Sequence, residues 1–272
     1  MSHMTVTVSR VEFCYPDGHR ALDGVDFTVR PGESVAVIGA NGAGKSTLLL
    51  LLTGFLFASQ GEVRLGSARI SKTYLPELRR HVGLVFQNPD DQLFMPTVFD
   101  DVAFGPLNMR LSAEDVRTVT MQALETVGAA HLVDRPPWQL SGGQKRAVAI
   151  AGVLAMHPDV LILDEPSDAL DPGARRRLIH LLQTFEHTKI IATHDLDLVL
   201  DVCTRVIVLH EGRILADAHP LEVFADAALL ARASLEKPLS LQPRGCYAYD
   251  LPATPSAVDG PPGVARPSLG PD

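Results

Sequence analysis

The chain has 272 residues, of which 46% are hydrophobic and 21% are charged, a balance typical of a globular protein with a substantial core. Its formal net charge of -8 gives no electrostatic attraction to nucleic acid, so we expect no direct nucleic-acid partner. The three cysteines, Cys14, Cys203 and Cys246, are far apart and lack C-x-x-C spacing. This argues against a disulfide framework and a structural zinc site, and is typical of a reducing cytosol.

Neither a signal peptide nor a membrane span is predicted. The amino terminus MSHMTVTVSR lacks the apolar stretch of a signal peptide. The most apolar run, from Leu48 to Phe57, is about ten residues long, whereas a membrane span needs roughly twenty. This run therefore predicts a buried helix, and we expect the chain not to cross a membrane by itself.

The order of the predicted elements indicates an α/β fold. In residues 4 to 39, TVTVSRVEF alternates in polarity, VDFTVR follows a turn predicted at Asp23-Gly24, and SVAVIG is a continuous apolar run that suits a buried parallel strand. A helix is predicted to begin at about Lys45. Strands that alternate with helices imply a mostly parallel sheet. Further buried strands are predicted at 82–86, 160–164, 189–193 and 205–210, and helices at 114–127, 142–156, 173–186 and 195–202.

Two stretches differ from this alternation. Between residues 90 and 157 the buried-strand runs stop and helical patterning takes over, which predicts an inserted α-helical subdomain. From Lys237 onward most of the apolar periodicity is lost, and eight of the 20 prolines fall in the last 36 residues. We therefore expect one folded domain over residues 4–235. The Pro-rich tail, 236–272, is expected to lack ordered structure unless a bound partner orders it.

The sequence GANGAGKS fits the phosphate-binding pattern G-x-x-x-x-G-K-[ST]. It directly follows a predicted buried strand and directly precedes a predicted helix, which is the context this motif requires. Backbone N–H groups of the glycines can close around a polyphosphate, and the helix N-terminus adds a partial positive charge. Lys45 would bridge the β- and γ-phosphates, Ser46 would offer its hydroxyl to Mg²⁺, and Thr47 can bond the α-phosphate. The residues predicted to bind nucleotide are Gly39, Ala40, Asn41, Gly42, Ala43, Gly44, Lys45, Ser46 and Thr47.

A second apolar strand, VLILDE, ends in two carboxylates. Asp164 at the strand end suits the Mg²⁺ shell, as P-loop proteins require. Glu165 would point away from Asp164 if the strand persists, and is well placed to orient or deprotonate an attacking water. Alone, this could be an acidic turn after a strand, but the upstream P-loop favours a catalytic pair.

The stretch LSGGQ, Leu140 to Gln144, has the features of a helix start. Ser141 can cap the helix, and Gln144 three residues later is in capping-box register. Gly142 and Gly143 leave the backbone bare, so a phosphate can approach the helix start. Taken alone, this is an ordinary N-cap with glycines.

In this order and separation, the P-loop, LSGGQ and LDE segments resemble those of the ATPase subunits of ABC transporters. The resemblance covers nearly all of residues 4–235. It implies a P-loop NTPase core with a mostly parallel sheet, an N-terminal antiparallel β subdomain and an inserted α-helical subdomain. It also implies ATP and Mg²⁺ as cofactors and ATP hydrolysis as the reaction.

The other landmarks of the family can be matched one by one. Tyr15 lies where these proteins place an aromatic ring against adenine, and Gln87 lies at the Q-loop position, which reaches Mg²⁺ and water. His194, after the predicted strand KIIAT, matches the histidine that contacts the γ-phosphate. The D-loop segment SDALD has one departure, Ala169, where many relatives have glycine. The implied catalytic residues are Lys45, Gln87, Glu165 and His194, and the implied Mg²⁺ ligands are Ser46, Gln87 and Asp164.

The stretch FQNPDDQLF, residues 86–94, joins the predicted ATP core to the helical subdomain. The resemblance implies that Gln87 senses nucleotide and that the helices behind it form a groove for a helix of a membrane partner. QNPDDQLF, TVFDDVAFGPLN at 97–108 and YPDG at 15–18 resemble a subgroup, the energy-coupling-factor ATPases that drive cobalt, nickel and vitamin importers. Asp90 and Asp91 could also be a solvated acidic pair that starts a helix.

The resemblance also implies an assembly. The P-loop and LSGGQ faces would point in different directions, so two subunits would meet head to tail around two ATP molecules. Implied partners are a second ATPase subunit (a copy or a paralogue), a transmembrane coupling protein and a substrate-binding membrane protein, at the cytoplasmic face of the cell membrane. The residues implied to act in trans on ATP held by Lys45 are Ser141, Gly142, Gly143 and Gln144.

The sequence leaves several alternative functions open. Cobalt or nickel is favoured over vitamins as the transported substrate, and another ABC transporter subfamily is the nearest alternative. A soluble ABC ATPase that acts as a nucleotide-gated binding module usually carries two cassettes or long coiled coils, and the chain has neither pattern. A non-catalytic cassette is disfavoured because Lys45, Asp164, Glu165 and His194 are all present.

Overall fold

Two β-sheets form the frame of the protein, whose computed structural model describes residues 4–242. The strands of this part of the chain are β1 Val6–Cys14, β2 Arg20–Val29, β3 Ser34–Ile38, β4 Gln60–Leu65, β5 Ala68–Arg69, β6 Val82–Val85, β7 Val160–Asp164, β8 Thr188–Ala192, β9 Arg205–His210 and β10 Arg213–Ala218. One sheet is antiparallel, in the order β2-β1-β4-β5. The other has the order β10-β9-β3-β8-β7-β6 and is parallel except for β10.

The helices fall between the strands and at the carboxyl end of the described chain. They are α1 Lys45–Leu52, α2 Leu75–His81, α3 Val98–Asn108, α4 Ala113–Thr126, α5 Gly142–Leu154, α6 Pro172–Thr184, α7 Leu196–Val202, α8 Pro220–Ala225 and α9 Ala227–Arg232. Short 3₁₀ helices lie at Pro89–Asp91, Ala130–Leu132 and Pro137–Gln139.

The larger sheet is buried on both faces. In β3, Ala36 and Ile38 join a core made with helices α3 to α9, whereas Val35 and Val37 join a second core made with α1 and the antiparallel sheet. β7 divides in the same way, with Leu161 and Leu163 on one face and Val160 and Ile162 on the other. Side chains of a strand alternate between faces, so a strand with two buried faces reads as a continuous apolar run.

The predicted fold class is confirmed: an α/β cassette with a mostly parallel sheet and an antiparallel sheet near the amino terminus. The strands at 160–164 and 205–210 form as predicted, and the four predicted helices correspond to α4, α5, α6 and α7. Among the residues between β6 and β7, all of them described, helices form and strands do not. The subdomain bounds at 90 and 157 stay a prediction.

The apolar run from Leu48 to Phe57 is only partly a buried helix, so that prediction was wrong for its second half. α1 ends at Leu52, and the chain turns through Gly54 in the left-handed conformation that commonly ends a helix. Phe55, three residues past the helix, is 60% exposed. The hydrophobicity of this part of the run reflects a surface groove rather than a helix interior.

The predicted turn at Asp23-Gly24 was also wrong. Both residues lie within β2, where the pairing with β1 shifts register between Val11 and Phe13. Pairing with β1 continues on both sides, at Leu22 and Val25, and the Asp23 N–H donates to the carbonyl of Gly212 at 2.9 Å. The turn that precedes β2 lies earlier, where the Gly18 N–H donates to the Tyr15 carbonyl.

The predicted tail falls mostly outside the described residues. Residues 4–240 belong to one compact unit, and the tail residues 243–272 are not described. Within the compact unit, the backbone N–H groups of Leu239 and Ser240 donate to the carboxylate of Asp197 at 3.2 and 3.1 Å.

Candidate active site

The phosphate-binding loop connects β3 to α1. Gly44 occupies the position before the helix at φ +107°, and a Cβ there would lie 2.6 Å from the carbonyl oxygen of Ala21, so only glycine fits. The side chain of buried Lys45 folds back over the loop, where its Nζ donates to the carbonyls of Gly39 at 2.8 Å and Ala40 at 3.3 Å. Its ammonium group therefore already lies at the mouth of the loop.

The start of α1 suits an anion. No side chain caps this helix start, and its first turn contains no acidic residue. The first N–H groups of an α-helix have no partner within the helix, and the helix dipole favours negative charge beside them. Together with the Lys45 ammonium, this donor set fits the phosphates of ATP.

Tyr15 lies beside this helix start. Its hydroxyl is 3.0 Å from Oγ1 of Thr47, and its ring meets Phe13 edge to face with centroids 5.0 Å apart. The ring of His19 stacks nearly parallel to Tyr15 at 6.3 Å. Tyr15, the predicted adenine contact, therefore directly contacts Thr47, the predicted α-phosphate ligand.

The end of β7 places Asp164 where a cation can bind. Its Oδ1 is buried and has no hydrogen-bond partner among the described residues. Burial raises the pKa of Asp164, whereas a hydrogen bond from Ser46 and the charge of Lys45 act in the opposite direction. An orphaned carboxylate oxygen beside a serine hydroxyl is an oxygen donor set that fits Mg²⁺.

Gln87, the third predicted Mg²⁺ ligand, is engaged elsewhere. Its Nε2 donates to Oδ2 of Asp168, in the segment 167–171, at 3.1 Å. Within residues 4–242, no hydrogen bond joins Gln87 to Ser46 or Asp164. Mg²⁺ would bind the amide oxygen Oε1 and not Nε2, so the bond to Asp168 is compatible with the predicted role of Gln87 at the metal.

Glu165 and His194 form a close pair. The backbone N–H of His194 donates to Oε2 of Glu165 at 3.0 Å, and the Nδ1 of its ring lies 2.8 Å from the same oxygen. The Glu165 side chain is 10% exposed and that of His194 65%. Because a carboxylate only accepts, its closeness to Nδ1 favours a proton on that nitrogen, which leaves Nε2 as the ring nitrogen for a further contact.

The backbone of Glu165 is strained. β7 ends at Asp164, and Glu165 adopts φ +44°, which is uncommon for a residue other than glycine. Its N–H donates to the carbonyl of Ala192 at 2.8 Å, which anchors it to the end of the neighbouring strand β8. Strain of this kind persists where the surrounding structure fixes a residue for a task.

The LSGGQ segment forms the predicted capping box at the start of α5. The Ser141 N–H donates to Oε1 of Gln144 at 2.9 Å, and the Gln144 N–H donates to Oγ of Ser141 at 3.3 Å. A Cβ on Gly143 would lie 2.8 Å from Cβ of Ala174, so the second glycine allows α5 to approach α6. Ser141 and Gly142 are exposed, with open space around Gly142.

The stretch FQNPDDQLF is bound to α5 by several polar links. Arg146, which is buried, donates to the carbonyl of Phe86 at 2.5 Å and to that of Gln87. Lys145 pairs with Asp90 at 2.6 Å, so Asp90 is more than a solvated helix start. The link at Arg146 was missed from the sequence because its acceptors are backbone atoms about sixty residues away. The only available signal was its place directly after LSGGQK.

The fold and these contacts define a P-loop NTPase cassette. Residues 22–168 match the ABC transporter family model, and the chain belongs to this family. It is 58% identical to an ABC transporter ATP-binding protein of Geobacter sulfurreducens, over 90% of this chain and 98% of the relative. It is 47% identical to the energy-coupling factor transporter ATP-binding protein EcfA of Methanothermobacter thermautotrophicus, over 84% and 75%.

Two solved structures share the fold. One is CbiO1 of Clostridium perfringens, part of the ABC transporter complex CbiONQ, with TM-score 0.75, 41% identity, and 83% of this chain and 92% of that chain covered. The other is the ATP-binding cassette MJ0796, as a post-hydrolysis dimer bound to ADP and Pi, with TM-score 0.72, 28% identity, and 79% and 98% covered.

These comparisons confirm the resemblance to ABC transporter ATPases, including the energy-coupling-factor group. The chain is an ATP-binding, ATP-hydrolysing cassette of a transporter. In the described part of the chain, no helix has the length and apolar character needed to span a membrane.

Proposed function

We propose that the chain is the ATPase subunit of an energy-coupling-factor importer that takes up a cobalt or nickel ion, or a vitamin, through membrane partners. The observation that carries this proposal is the similarity of the whole cassette to EcfA and to CbiO1. The chain would work at the cytoplasmic face of the cell membrane.

The residues at the start of α1 would hold the nucleotide. Lys45 would move from the loop carbonyls onto the β- and γ-phosphates, and the loop N–H groups and Thr47 would hold the remaining oxygens. Ser46 and Asp164 would hold Mg²⁺, which neutralises charge on the phosphate oxygens when it is bound. The proposed adenine contact is Tyr15, whose ring borders this helix start.

Glu165 is proposed as the group that activates water. Its Oε2 accepts the backbone N–H of His194 and lies close to the ring Nδ1, so the other oxygen is proposed to accept the proton of an attacking water. His194 holds the carboxylate in place, and its exposed Nε2 edge is proposed to contact the γ-phosphate. Catalysis is then mainly positioning plus charge stabilisation.

A second subunit is proposed to complete each site. The dimeric state of MJ0796 supports a dimer of cassettes. The exposed Ser141 and Gly142 would meet ATP held by Lys45 of the partner. Trp138, three residues before Ser141, is 69% exposed, and a large exposed aromatic at this place supports a partner surface.

An apolar groove is the proposed docking site for the membrane partner. It has a volume of about 870 Å³ and lies between the turn after α1, α2, the 86–94 stretch, α3 and α5. Phe55, Phe94 and Phe104 line it and are exposed, and the last two meet edge to face at 5.1 Å. A groove of this kind suits the apolar face of a helix. Because Gln87 belongs to the same stretch, occupancy of the groove is proposed to affect the ATP site.

Purification of the full-length Glu165→Gln chain from membranes with ATP and Mg²⁺, followed by mass spectrometry, tests the proposal. We expect a polytopic coupling protein and a small substrate-binding membrane protein. The matched control adds Phe94→Asp, which should lose both proteins and keep ATP binding. Recovery of only ribosomal or nucleic-acid-associated proteins would overturn the importer assignment. Uptake of labelled cobalt, nickel or vitamin by the recovered complex then identifies the substrate.

A further inference from the structure

We infer that Arg175, through its ion pair with Asp195, positions the proposed catalytic residue His194 and couples it to the segment 167–171. The geometry is specific. Arg175 Nε donates to Oδ2 of Asp195 at 2.6 Å, and its Nη2 donates to Oδ1 at 2.7 Å. Such a two-point contact fixes the plane of the carboxylate as well as its distance.

Asp195 directly follows His194 and is fixed on several sides. Its Oδ1 also accepts the N–H of Leu198, which caps α7, and its own N–H donates to Oγ1 of Thr193 at 3.0 Å. Burial acts to raise the pKa of Asp195, but the bond from Arg175, the bond from the Leu198 N–H and the charge of Arg175 together outweigh burial and keep this pKa low. The carboxylate is therefore a charged anchor for the loop that carries His194.

Arg175 connects this anchor to the other side of the site. It lies in the first turn of α6, which Asp171 caps by accepting the N–H of Ala174 at 2.8 Å. The Arg175 N–H donates to the carbonyl of Asp171 at 2.9 Å. Segment 167–171 also contains Asp168, the partner of Gln87. A displacement of segment 167–171 would therefore move Arg175, and through Asp195 it would change the position of His194.

His194 depends on such support. Its side chain is 65% exposed, and among the described residues its ring nitrogen pairs only with the carboxylate of Glu165. The ring orientation therefore depends on this one contact and on the backbone at 193–195, which carries the ring. Without Arg175, the half-buried Asp195 would lose its counter-charge, which favours movement of the carboxylate toward water. Lys45 and the phosphate loop lie on other elements, so ATP binding should be little affected.

Full-length variants at this pair test the inference by kinetics. Arg175→Lys keeps the positive charge but cannot make the two-point contact with the carboxylate. Asp195→Asn keeps a side chain that caps a helix well but loses the negative charge. We expect each to lower kcat about 10- to 100-fold with little change in KM for ATP, because misplacement costs turnover rather than binding. Together they should cost little more than either alone. Unchanged kcat, or fully additive losses, would overturn the inference.

A matched ion pair elsewhere in the chain provides the control. Arg205 in β9 makes the same two-point contact with Asp217 in the edge strand β10, with both bonds at 2.6 Å. The side chains of this pair are about as exposed as those of Arg175 and Asp195. Arg205→Lys should leave kcat unchanged. An equal loss of kcat in this variant would mean that the effect of Arg175→Lys is one of general stability.

Nitrogen NMR of histidine-labelled protein separates positioning from catalysis. The signal of His194, identified by its absence in His194→Ala, should show a proton on Nδ1 in the parent, and Arg175→Lys should disturb it. An unchanged signal would overturn the positioning role. If the signal changes while His194→Ala remains fully active, positioning stands and the proposed catalytic role of His194 fails.

Discussion

Oε2 of Glu165 accepts the backbone N–H of His194 at 3.0 Å and lies 2.8 Å from Nδ1 of the His194 ring. The backbone of Glu165, directly after the end of β7, is at φ +44°, and its carboxylate contacts the histidine. The other oxygen, Oε1, makes no hydrogen bond within residues 4–242, so we expect it to be the oxygen that acts on water.

Replacement of Glu165 by glutamine should therefore stop the chemistry and spare binding. The amide oxygen of the new side chain can still accept from the His194 N–H, but the amide cannot take a proton from water. We expect turnover to fall roughly 10²–10⁴-fold while ATP binding is retained, as measured by steady-state hydrolysis and by equilibrium binding. Glu222→Gln, on the exposed face of α8, is the control and should hydrolyse normally. Near-normal turnover of Glu165→Gln would remove Glu165 from this role.

In the absence of Mg²⁺, the Asp164→Asn variant should be more stable than the parent protein. In the presence of Mg²⁺ and ATP, the variant should lack the stabilisation that Mg²⁺ gives the parent. Burial raises the pKa of Asp164 in the folded state, so the ionised form costs stability above that pKa. The gain from Asn should be largest at pH 8 in EDTA and should vanish below the unfolded pKa of about 3.9. Thermal melts with and without Mg²⁺ and ATP measure both effects. A lower melting temperature of the variant in EDTA at pH 8 would contradict the burial argument.

His81 should make stability depend on pH near neutrality. Burial lowers the pKa of His81, but its bonds to Asp159 at 2.6 Å and Glu77 at 3.0 Å outweigh burial and raise it. The raised pKa means that the stabilisation is full below the unfolded pKa of about 6.5 and is lost as pH rises through the folded pKa.

Denaturant unfolding of His81→Gln checks this. We expect a loss of about 1–2 kcal/mol at pH 6 that shrinks at pH 9, since charged hydrogen bonds are the stronger ones. His180→Gln, at an exposed position of α6, is the control and should show no such trend. A loss that is equal at both pH values would mean that the protonated form of His81 is not the stabilising one.

Much of the fold was predictable because local patterns and burial agree. SVAVIG and VLILD were recognised as strands because both faces of β3 and β7 are buried, so neither strand needs polar positions. The prediction of a buried helix over Leu48–Phe57 was wrong in its second half because hydrophobicity alone does not distinguish a core helix from a surface groove in which Phe55 is exposed. The turn prediction at Asp23-Gly24 was wrong because an irregularity within a strand favours the same residue types, such as glycine, as a turn.

The candidate site was predictable where a motif is contiguous. GANGAGKS and LSGGQ each form a local structure, a loop before α1 and a capping box before α5, that their own residues determine. The contacts of Arg146 and Arg175 were not predictable, because their partners are distant in sequence and, for Arg146, are carbonyl oxygens that every residue has. The roles of the site residues stay predictions.

The head-to-tail composite site is the central claim, and mixing two inactive variants tests it most directly. Lys45→Ala should disable the phosphate loop, and Ser141→Arg, at an exposed position, should disable the opposing face. In a mixed dimer, the intact loop of one chain meets the intact LSGGQ segment of the other. We predict that the mixture hydrolyses ATP well above the sum of its components. A mixture of Lys45→Ala with Glu165→Gln should stay inactive, since each site then lacks a residue on its phosphate-loop side. Activity of the first mixture no higher than that sum would contradict the composite site.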